Sequence, residues 1–274
     1  MYIIFDTETT GLPRSWKAPI TDTDNWPRCI QIAWQLHDEW GNLMEAKDYL
    51  VKPDGFNIPY DAEQVHGIST ELAEAQGVDI NLVLEEFNQA LSKAKFVVGQ
   101  NVGFDNNIMG CEFYRYGVET ELNNMPVLDT CTEITASLCK IPGGRGGKFK
   151  LPTLTELHQH LFGEPFAEAH NATADVEATT RCFFELIRIG SYTPEILQQD
   201  DNYLKEFVEK NPLPIKVIGL KHLNLKEESA KLKQKKLRKP NKKILMLKGI
   251  KLNLRMLNFL IYITIHNFLY FNLP

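Results

Sequence analysis

The chain has few cysteines and no long uninterrupted apolar run. Its five cysteines form no C-x-x-C pair, and they lie at Cys29, Cys111, Cys131, Cys139 and Cys182. An odd, unpatterned set indicates reduced thiols, which excludes a disulfide framework and a cysteine-based zinc site. The first ten residues lack the basic and apolar regions of a secretion signal, and polar residues interrupt the apolar stretch 256–274. A membrane span needs about 20 predominantly apolar residues, so we expect a cytoplasmic protein with no membrane contact.

Positive charge is scarce outside one segment. Residues 221–255 hold 13 Lys or Arg against two acids, whereas the rest of the chain carries a net charge of −16 within a total of −5. An acidic body repels a long phosphate backbone, so we do not expect it to bind extended duplexes. A short strand end held through metal ions is compatible with this charge.

The hydrophobic pattern predicts a layered α/β domain over residues 1–190. A hairpin precedes alternating helices and strands, an order that predicts a mixed β-sheet flanked by helices. Between the first two strands, residues 13–28 contain three prolines and predict a long loop. The strands are predicted at 1–6, 29–37, 43–51, 95–100 and 125–129, and the main helices at about 61–66, 69–75, 80–93, 104–116, 130–138, 153–161 and 172–189.

The acidic residues of interest lie in three segments, each at the end of a predicted strand or at the start of a predicted helix. Asp6 and Glu8 are two residues apart, so their side chains lie on the same side of an extended chain. Asp105 ends the segment NVGFD at the start of a helix, and Asp175 lies in the first turn of the long helix, five residues after His170. A D-x-E pair alone is common, and Asp105 or Asp175 alone is explained as a helix-capping or first-turn acid. The ordered set of all five residues indicates a catalytic site.

This set resembles the DnaQ-like (DEDDh) superfamily of 3′→5′ exonucleases. The resemblance covers roughly residues 1–190 and rests on FDTETTGL at 5–12, HGI at 66–68, NVGFD at 101–105 and HNATAD at 170–175. Within the superfamily it is closest to the proofreading exonuclease domains and epsilon-type subunits of bacterial DNA polymerase III. The resemblance implies a ribonuclease H-like fold with a C-terminal extension.

The resemblance also implies a role for each residue of the set. Asp6, Glu8 and Asp175 would hold one of two Mg²⁺ or Mn²⁺ ions, and Asp6 and Asp105 the second. Such a pair of ions suits phosphodiester hydrolysis, and oxygen ligands suit these metals. His170 would be the general base, a task for which histidine is suited because it titrates near neutral pH.

Further residues are implied to bind the terminal nucleotide. They are Thr9, Thr10, Gly11, Leu12, His66 and Phe104. Core packing remains an alternative for Leu12 and Phe104, and turn hydrogen bonding for Thr7 and Thr10. We expect Asp129 to be structural. We expect Trp16 and Trp26, both in the loop 13–28, to pack within that loop, with contact to DNA or to another domain as the alternative.

The resemblance implies an enzyme that shortens DNA from its 3′ end and releases 5′-mononucleotides. The expected substrate is single-stranded or frayed DNA, and the expected role is proofreading beside a replicative polymerase. An RNA-trimming exoribonuclease of the same superfamily would have the same active site, so that alternative stays open. A catalytically idle binding module of a polymerase assembly is a further alternative, against which the complete set of acids argues.

The C-terminal third differs in character from the rest. Residues 191–240 are polar and partly basic, with four prolines, and predict a helix-containing linker. Residues 241–274 form a tail for which our hypothesis is an out-of-frame, disordered sequence. Synonymous codons for 261–274, read in another frame, can encode a segment similar to the His-x-His motif that opens the phosphoesterase-like domain of bacterial polymerase α subunits.

Overall fold

The computed structural model describes residues 1–166, 170–216 and 232–234. Contacts divide the chain into a unit Met1–Ser229 and a unit Ala230–Pro274, and the fold described below belongs to the first. The predicted linker 191–240 lies partly outside the described residues, at 217–231 and 235–240, and the tail 241–274 lies entirely outside them.

The centre of the unit is a five-stranded mixed sheet with the order β3-β2-β1-β4-β5. The first three strands pair antiparallel, whereas β4 pairs parallel with β1 and β5 parallel with β4. The strands are β1 Tyr2–Thr9, β2 Cys29–His37, β3 Leu43–Leu50, β4 Phe96–Gly99 and β5 Val127–Asp129. The predicted α/β fold with a mixed sheet is therefore confirmed.

Helices cover both faces of this sheet. They are α1 Tyr60–His66, α2 Thr70–Gln76, α3 Ile80–Leu91, α4 Gly103–Arg115, α5 Glu133–Cys139, α6 Leu154–Phe162, α7 Ala172–Arg188, α8 Pro194–Leu197 and α9 Tyr203–Lys210. Two 3₁₀ turns, Leu122–Asn124 and Arg145–Gly147, lie in the connections. No helix in the described ranges combines the length and the apolar character needed to cross a membrane.

The central strand β1 contributes to a hydrophobic core on each face of the sheet. Ile3 and Phe5 belong to one core, which includes Phe87 of α3. Tyr2 and Ile4 belong to the other, which includes Phe183 of α7. This alternation follows from the two-residue side-chain period of a strand. Because helices cover both of its faces, β1 is a rigid support for the residues that follow Phe5.

Strand β1 is longer than predicted. Its predicted end is residue 6, where the apolar run stops, but it continues to Thr9. The reason is its pairing with β2, in which Glu8 lies opposite Gln31 and Thr9 opposite Cys29. Asp6 and Glu8 are therefore strand residues held by a hydrogen-bond ladder.

The second core continues past residue 190, where the sequence analysis ended the domain. Tyr203 and Phe207 of α9 are buried, and the Phe207 ring stacks on Phe184 with centroids 6.1 Å apart. The hydroxyl of Tyr203 donates a hydrogen bond to the carbonyl of Glu39. The predicted helix-containing segment after residue 190 thus includes two helices, α8 and α9, and α9 packs on the second core.

Candidate active site

Three carboxylates from two distant elements converge on one face of the sheet. Asp6 and Glu8 share the side of β1 that carries Tyr2 and Ile4, which is the face covered by α7. Asp175 lies in the first turn of α7. One carboxylate oxygen from each of the three lies within 4.8 Å of the other two.

The fourth carboxylate is fixed to the first acidic segment by Thr7. Asp105, in the first turn of α4, is 4% exposed. Its Oδ1 accepts hydrogen bonds from the Thr7 amide at 3.0 Å and from the Thr7 hydroxyl at 2.6 Å. Thr7 lies between Asp6 and Glu8, so it links α4 directly to the acidic pair. Only turn hydrogen bonding was predicted for Thr7, because a partner 98 residues away leaves no local signal in the sequence.

Asp129 shapes the turn that leads into α4. Its carboxylate accepts hydrogen bonds from the amides of Asn101 at 2.8 Å, Val102 at 3.2 Å and Cys131 at 2.7 Å. Asn101 adopts a φ of 58°, a conformation that these bonds support. Asp129 therefore acts on backbone and is absent from the described lining of the pocket, as expected for a structural residue.

His170 lies at the exposed edge of the site. Its backbone amide donates a hydrogen bond to Oδ2 of Asp175 at 2.9 Å. It has a φ of 68°, a left-handed conformation that is costly for a residue other than glycine. The next residue, Asn171, caps α7 by accepting a hydrogen bond from the Thr173 amide at 3.1 Å. The strained turn is thus held by Asp175 on one side and by the helix cap on the other.

The acids and their surroundings line a cavity of about 490 Å³. All five residues predicted to bind metal or to act as the base line it: Asp6, Glu8, Asp105, His170 and Asp175. The predicted nucleotide contacts Thr9, Gly11, Leu12, His66 and Phe104 line it as well. The described lining also includes Ala62, Val65, Gln100, Asn101 and Leu154, which the sequence analysis did not select. Ala62 lies one helical turn before His66, a spacing from which it could have been found.

Thr10 is the one predicted contact outside this lining. Its hydroxyl accepts a hydrogen bond from the Arg28 amide at 2.9 Å, and its own amide donates to the Arg28 carbonyl at 3.0 Å. These bonds hold the chain at the end of β1, which is the alternative that the sequence analysis left open for Thr10.

The cavity concentrates negative charge without basic side chains, since no Lys or Arg is among its described lining. Burial, followed by repulsion from Asp105, Asp175 and Glu8, raises the pKa of Asp6 well above its usual range. Burial, followed by repulsion from Asp175 and Asp105, raises the pKa of Glu8 well above its usual range. Burial raises the pKa of Asp105 to about 7, against the opposing hydrogen bonds from Thr7.

Asp175 is perturbed in the same way. Burial raises its pKa to about 7, and the amides of His170 and Asn171 oppose that shift. A set of converging oxygen donors whose ionised forms repel one another fits a hard divalent cation such as Mg²⁺ or Mn²⁺. No thiolate lies among the described residues that line the cavity, so the donor set does not favour a soft metal.

His66 is a neutral ring in this site. Its Nδ1 accepts a hydrogen bond from the Ile68 amide at 3.0 Å, which leaves Nε2 as the ring's donor. Burial lowers the pKa of His66 to about 4, against a smaller opposing effect of the Thr9 backbone. His66 therefore adds no positive charge to the cavity near neutral pH.

Comparison with known proteins decides the family. A family model described as Exonuclease (RNase_T) matches residues 3–183. The chain belongs to this exonuclease family. Members of the family are nucleases, hydrolases that bind nucleic acid and generally use divalent metal ions. No curated protein matches the chain significantly.

Solved structures of Escherichia coli exonuclease I are similar to this exonuclease. One exonuclease I structure is 22% identical with a TM-score of 0.55, and its complex with a dT13 oligonucleotide is 21% identical with a TM-score of 0.56. A zinc-bound complex with single-stranded DNA is 23% identical with a TM-score of 0.55. Each match covers 72% of this chain and 42% of exonuclease I, so the chain spans less than half the length of exonuclease I. These matches show that the fold is ribonuclease H-like, as the sequence predicts.

Proposed function

We propose that the protein is a metal-dependent 3′→5′ exonuclease that hydrolyses the last phosphodiester bond of a DNA strand and releases 5′-mononucleotides. The observation that carries this proposal is the convergence of Asp6, Glu8, Asp105 and Asp175 in one cavity. A buried acidic cluster without basic partners is costly to maintain, and a structural role does not account for it.

The four acids would hold two divalent ions. Asp6, Glu8 and Asp175 form one group of ligands, and Asp105 joins Asp6 to form the second. Bound ions of this kind neutralise charge on the scissile phosphate and lower the pKa of water. Thr7 keeps Asp105 in place through two hydrogen bonds, so the second group of ligands does not depend on metal for its position.

His170 would accept the proton of the attacking water. It lines the cavity beside Asp175, and its backbone is fixed to that carboxylate. Its side chain is exposed, so it can pass the proton to solvent after hydrolysis. A general base of this kind typically contributes about 10²–10⁴ to the rate.

Apolar residues of the cavity would hold the terminal nucleotide. Leu12 is 74% exposed and Val65 is 50% exposed, and both line the cavity together with Phe104. An exposed leucine beside buried carboxylates is available to contact a base or a sugar. A cavity of about 490 Å³ lies at the small end of the range for ligand sites, which favours one nucleotide at a time.

The charge of the cavity supports frayed or single-stranded DNA 3′ ends as the substrate. With no basic residue in the described lining, the site itself has little attraction for a duplex backbone. A mismatched end unpairs at lower cost than a matched one, so it reaches the cavity more often. We infer a proofreading role beside a replicative polymerase, in line with the resemblance of the motifs to polymerase III proofreading subunits.

The test uses the full chain with 5′-labelled substrates and either Mg²⁺ or EDTA. We expect a ladder of products shortened from the 3′ end, faster cleavage of a 3′-mismatched primer than of a matched one, and no cleavage in EDTA. Asp175→Asn should abolish cleavage, and the matched control Glu74→Gln, an exposed acid on α2, should not. Faster cleavage of a short RNA would favour the RNA-trimming enzyme, and no hydrolysis of any substrate would favour the binding module.

A further inference from the structure

A short basic and aromatic segment lies just outside the cavity. It is Arg14-Ser15-Trp16-Lys17, two residues after Leu12 in the loop between β1 and β2. Trp16 is 57% exposed, and Arg14 and Lys17 on either side are also exposed. Neither basic residue forms an ion pair within the described part of the chain.

Packing within the loop does not account for Trp16. The second tryptophan of the same loop, Trp26, is 3% exposed, and its indole N–H donates to the Pro19 carbonyl at 3.0 Å. The expectation of loop packing thus holds for Trp26, whereas most of the Trp16 ring stays open to solvent. A large apolar ring in this position exposes surface that a partner can cover.

The exposed ring is held by an ordered loop. The Asn25 side chain accepts a hydrogen bond from the Ser15 amide at 2.7 Å and donates one to the Ser15 carbonyl at 3.0 Å. Arg115 of α4 donates to the carbonyls of Thr23 and Trp26. The backbone next to Trp16 is therefore fixed to the core before any ligand binds, which lowers the ordering cost of binding.

Trp16 continues the apolar wall of the cavity. Its ring contacts Phe104, with centroids 5.6 Å apart and the planes tilted by 50°. Phe104 lines the cavity and directly precedes Asp105. An apolar surface thus runs outward from the acidic site through Phe104 to Trp16, where the first unpaired basic residues of the loop also lie.

We propose that Trp16 stacks on a base upstream of the terminal nucleotide, and that Arg14 and Lys17 bind the phosphates of the same stretch. The ligand is single-stranded nucleic acid, and the inference rests on the proposed exonuclease function. Stacking of bases on aromatic rings beside basic side chains is the usual way in which proteins hold single strands without reading their sequence. The segment continues the surface of the cavity, and its positive charge complements the strand.

The first experiment compares two substrates of the full chain. An oligothymidylate reaches both the cavity and Trp16, whereas the p-nitrophenyl ester of thymidine 5′-monophosphate has no upstream nucleotide. We expect Trp16→Ala to raise KM for the oligothymidylate roughly 10- to 100-fold, the usual effect of losing one base stack. We expect kcat to change little and hydrolysis of the ester to be unaffected.

Two further variants serve as controls. Trp16→Phe keeps an aromatic face and should retain most of the affinity for the oligothymidylate. Tyr114→Ala removes another exposed aromatic ring, 54% exposed in the last turn of α4, and should leave both substrates unaffected. Loss of activity on both substrates in Trp16→Ala would show a general defect and would overturn the assigned role.

The salt dependence of binding tests the phosphate contacts of Arg14 and Lys17. For single strands, the logarithm of affinity falls with the logarithm of salt concentration by about 0.7 per phosphate contact. The double variant Arg14→Ala/Lys17→Ala should therefore reduce that slope by about 1.4. An unchanged slope would remove the phosphate contacts from the inference.

A binding measurement separates this inference from the proposed function. In the Asp175→Asn background, oligothymidylate should quench tryptophan fluorescence, and Trp16→Phe should abolish the quenching. Ester and oligonucleotide hydrolysis by the wild-type chain, together with a wild-type KM in Trp16→Ala, would overturn the role of Trp16 and leave the exonuclease proposal intact. A wild-type chain that hydrolyses neither substrate would overturn the exonuclease proposal, and the quenching would still decide the role of Trp16.

Discussion

At the scale of single residues, neutral donors position two of the four carboxyls of the cavity, those of Asp105 and Asp175. The Thr7 amide and hydroxyl bind Asp105, and the His170 amide binds Asp175. Neutral donors fix the geometry without cancelling the negative charge. The repulsion among the acids therefore remains until cations bind, as expected if these acids hold metal ions.

Replacement of Asp6 by Asn should stabilise the metal-free protein and abolish its activity. Its carboxyl has a pKa raised by burial and by repulsion from the other three acids, so its ionised form destabilises the metal-free fold. In EDTA at about pH 8 we expect the Asp6→Asn chain to melt roughly 5 °C higher, the shift that about 1–2 kcal/mol gives in a chain of this size. Hydrolysis in Mg²⁺ should be lost.

The control for this variant is Glu74→Gln, which removes one exposed charge on α2. Calorimetry in EDTA should show little change in its Tm, and its hydrolysis should equal that of the wild type. A lower Tm for Asp6→Asn would contradict the view that the acids repel one another in the folded chain.

Replacement of His170 by Ala tests the proposed base. We expect kcat for oligothymidylate hydrolysis to fall by about 10²–10⁴ with little change in KM, because the ring acts on the water and not on the strand. His160→Ala is the matched control, an exposed histidine on α6 away from the described lining of the cavity. A wild-type rate in His170→Ala would remove the base assignment.

At the scale of secondary-structure elements, local sequence predicts most of what is observed. The strand predicted at 29–37 is Cys29–His37, and the helix predicted at 172–189 is Ala172–Arg188. Both carry apolar residues in a clear pattern, because burial against the sheet dictates which positions are apolar. The sequence also predicted the acids that line the cavity, because their motifs occur in the order that the resembled superfamily shows.

The features that the sequence did not reveal depend on distant partners. Strand β1 reaches Thr9 because β2 pairs with it, and α9 packs because Phe184 lies beside it. Trp16 and Trp26 occupy the same loop, and only Trp26 finds an acceptor for its indole N–H there, the Pro19 carbonyl. None of these contacts has a local periodicity that a sequence pattern can display.

Replacement of Phe207 by Ala should show that α9 belongs to the folded domain. Its ring is fully buried against Phe184, so truncation leaves a cavity and should cost about 3–5 kcal/mol in the free energy of unfolding. Val208 on the same helix is 39% exposed, and Val208→Ala should cost less than about 1 kcal/mol. Urea denaturation of the full chain measures both values, and equal costs would mean that α9 adds little to the core.

At the scale of the whole molecule, folding assembles the site from segments far apart in sequence. The acids come from β1, α4 and α7, so the unfolded chain has neither their repulsion nor their shared affinity for cations. The repulsion among the acids, which is present only in the folded chain, therefore opposes folding. Metal ions that bind the folded chain alone relieve this cost and raise its stability.

The pH dependence of stability should reveal this balance. Burial raises the pKa of Asp105 and of Asp175 to about 7 in the folded chain, against an ordinary value of 3.8. The folded state then holds protons that the unfolded state has released, so stability falls as pH rises from about 4 through 7. Asp6 and Glu8, whose pKa values burial and the neighbouring acids raise well above the ordinary range, add to this loss.

Buried histidines act in the opposite direction at lower pH. Burial lowers the pKa of His66 to about 4, so its contribution to stability rises with pH up to its unfolded value of about 6.5 and is constant above it. Between about pH 6.5 and 8 the carboxyls therefore dominate, and in EDTA we expect Tm to fall across this window.

Mg²⁺ or Mn²⁺ at a hundred times its Kd should add about 2.7 kcal/mol to the free energy of unfolding. The gain should be larger at the upper end of the window, where fewer protons compete with the ion. Asp6→Asn should flatten the pH slope and lose most of the metal effect. A metal-free Tm that rises across the window, or a metal effect equal in Asp6→Asn and wild type, would contradict a cation site built from these acids.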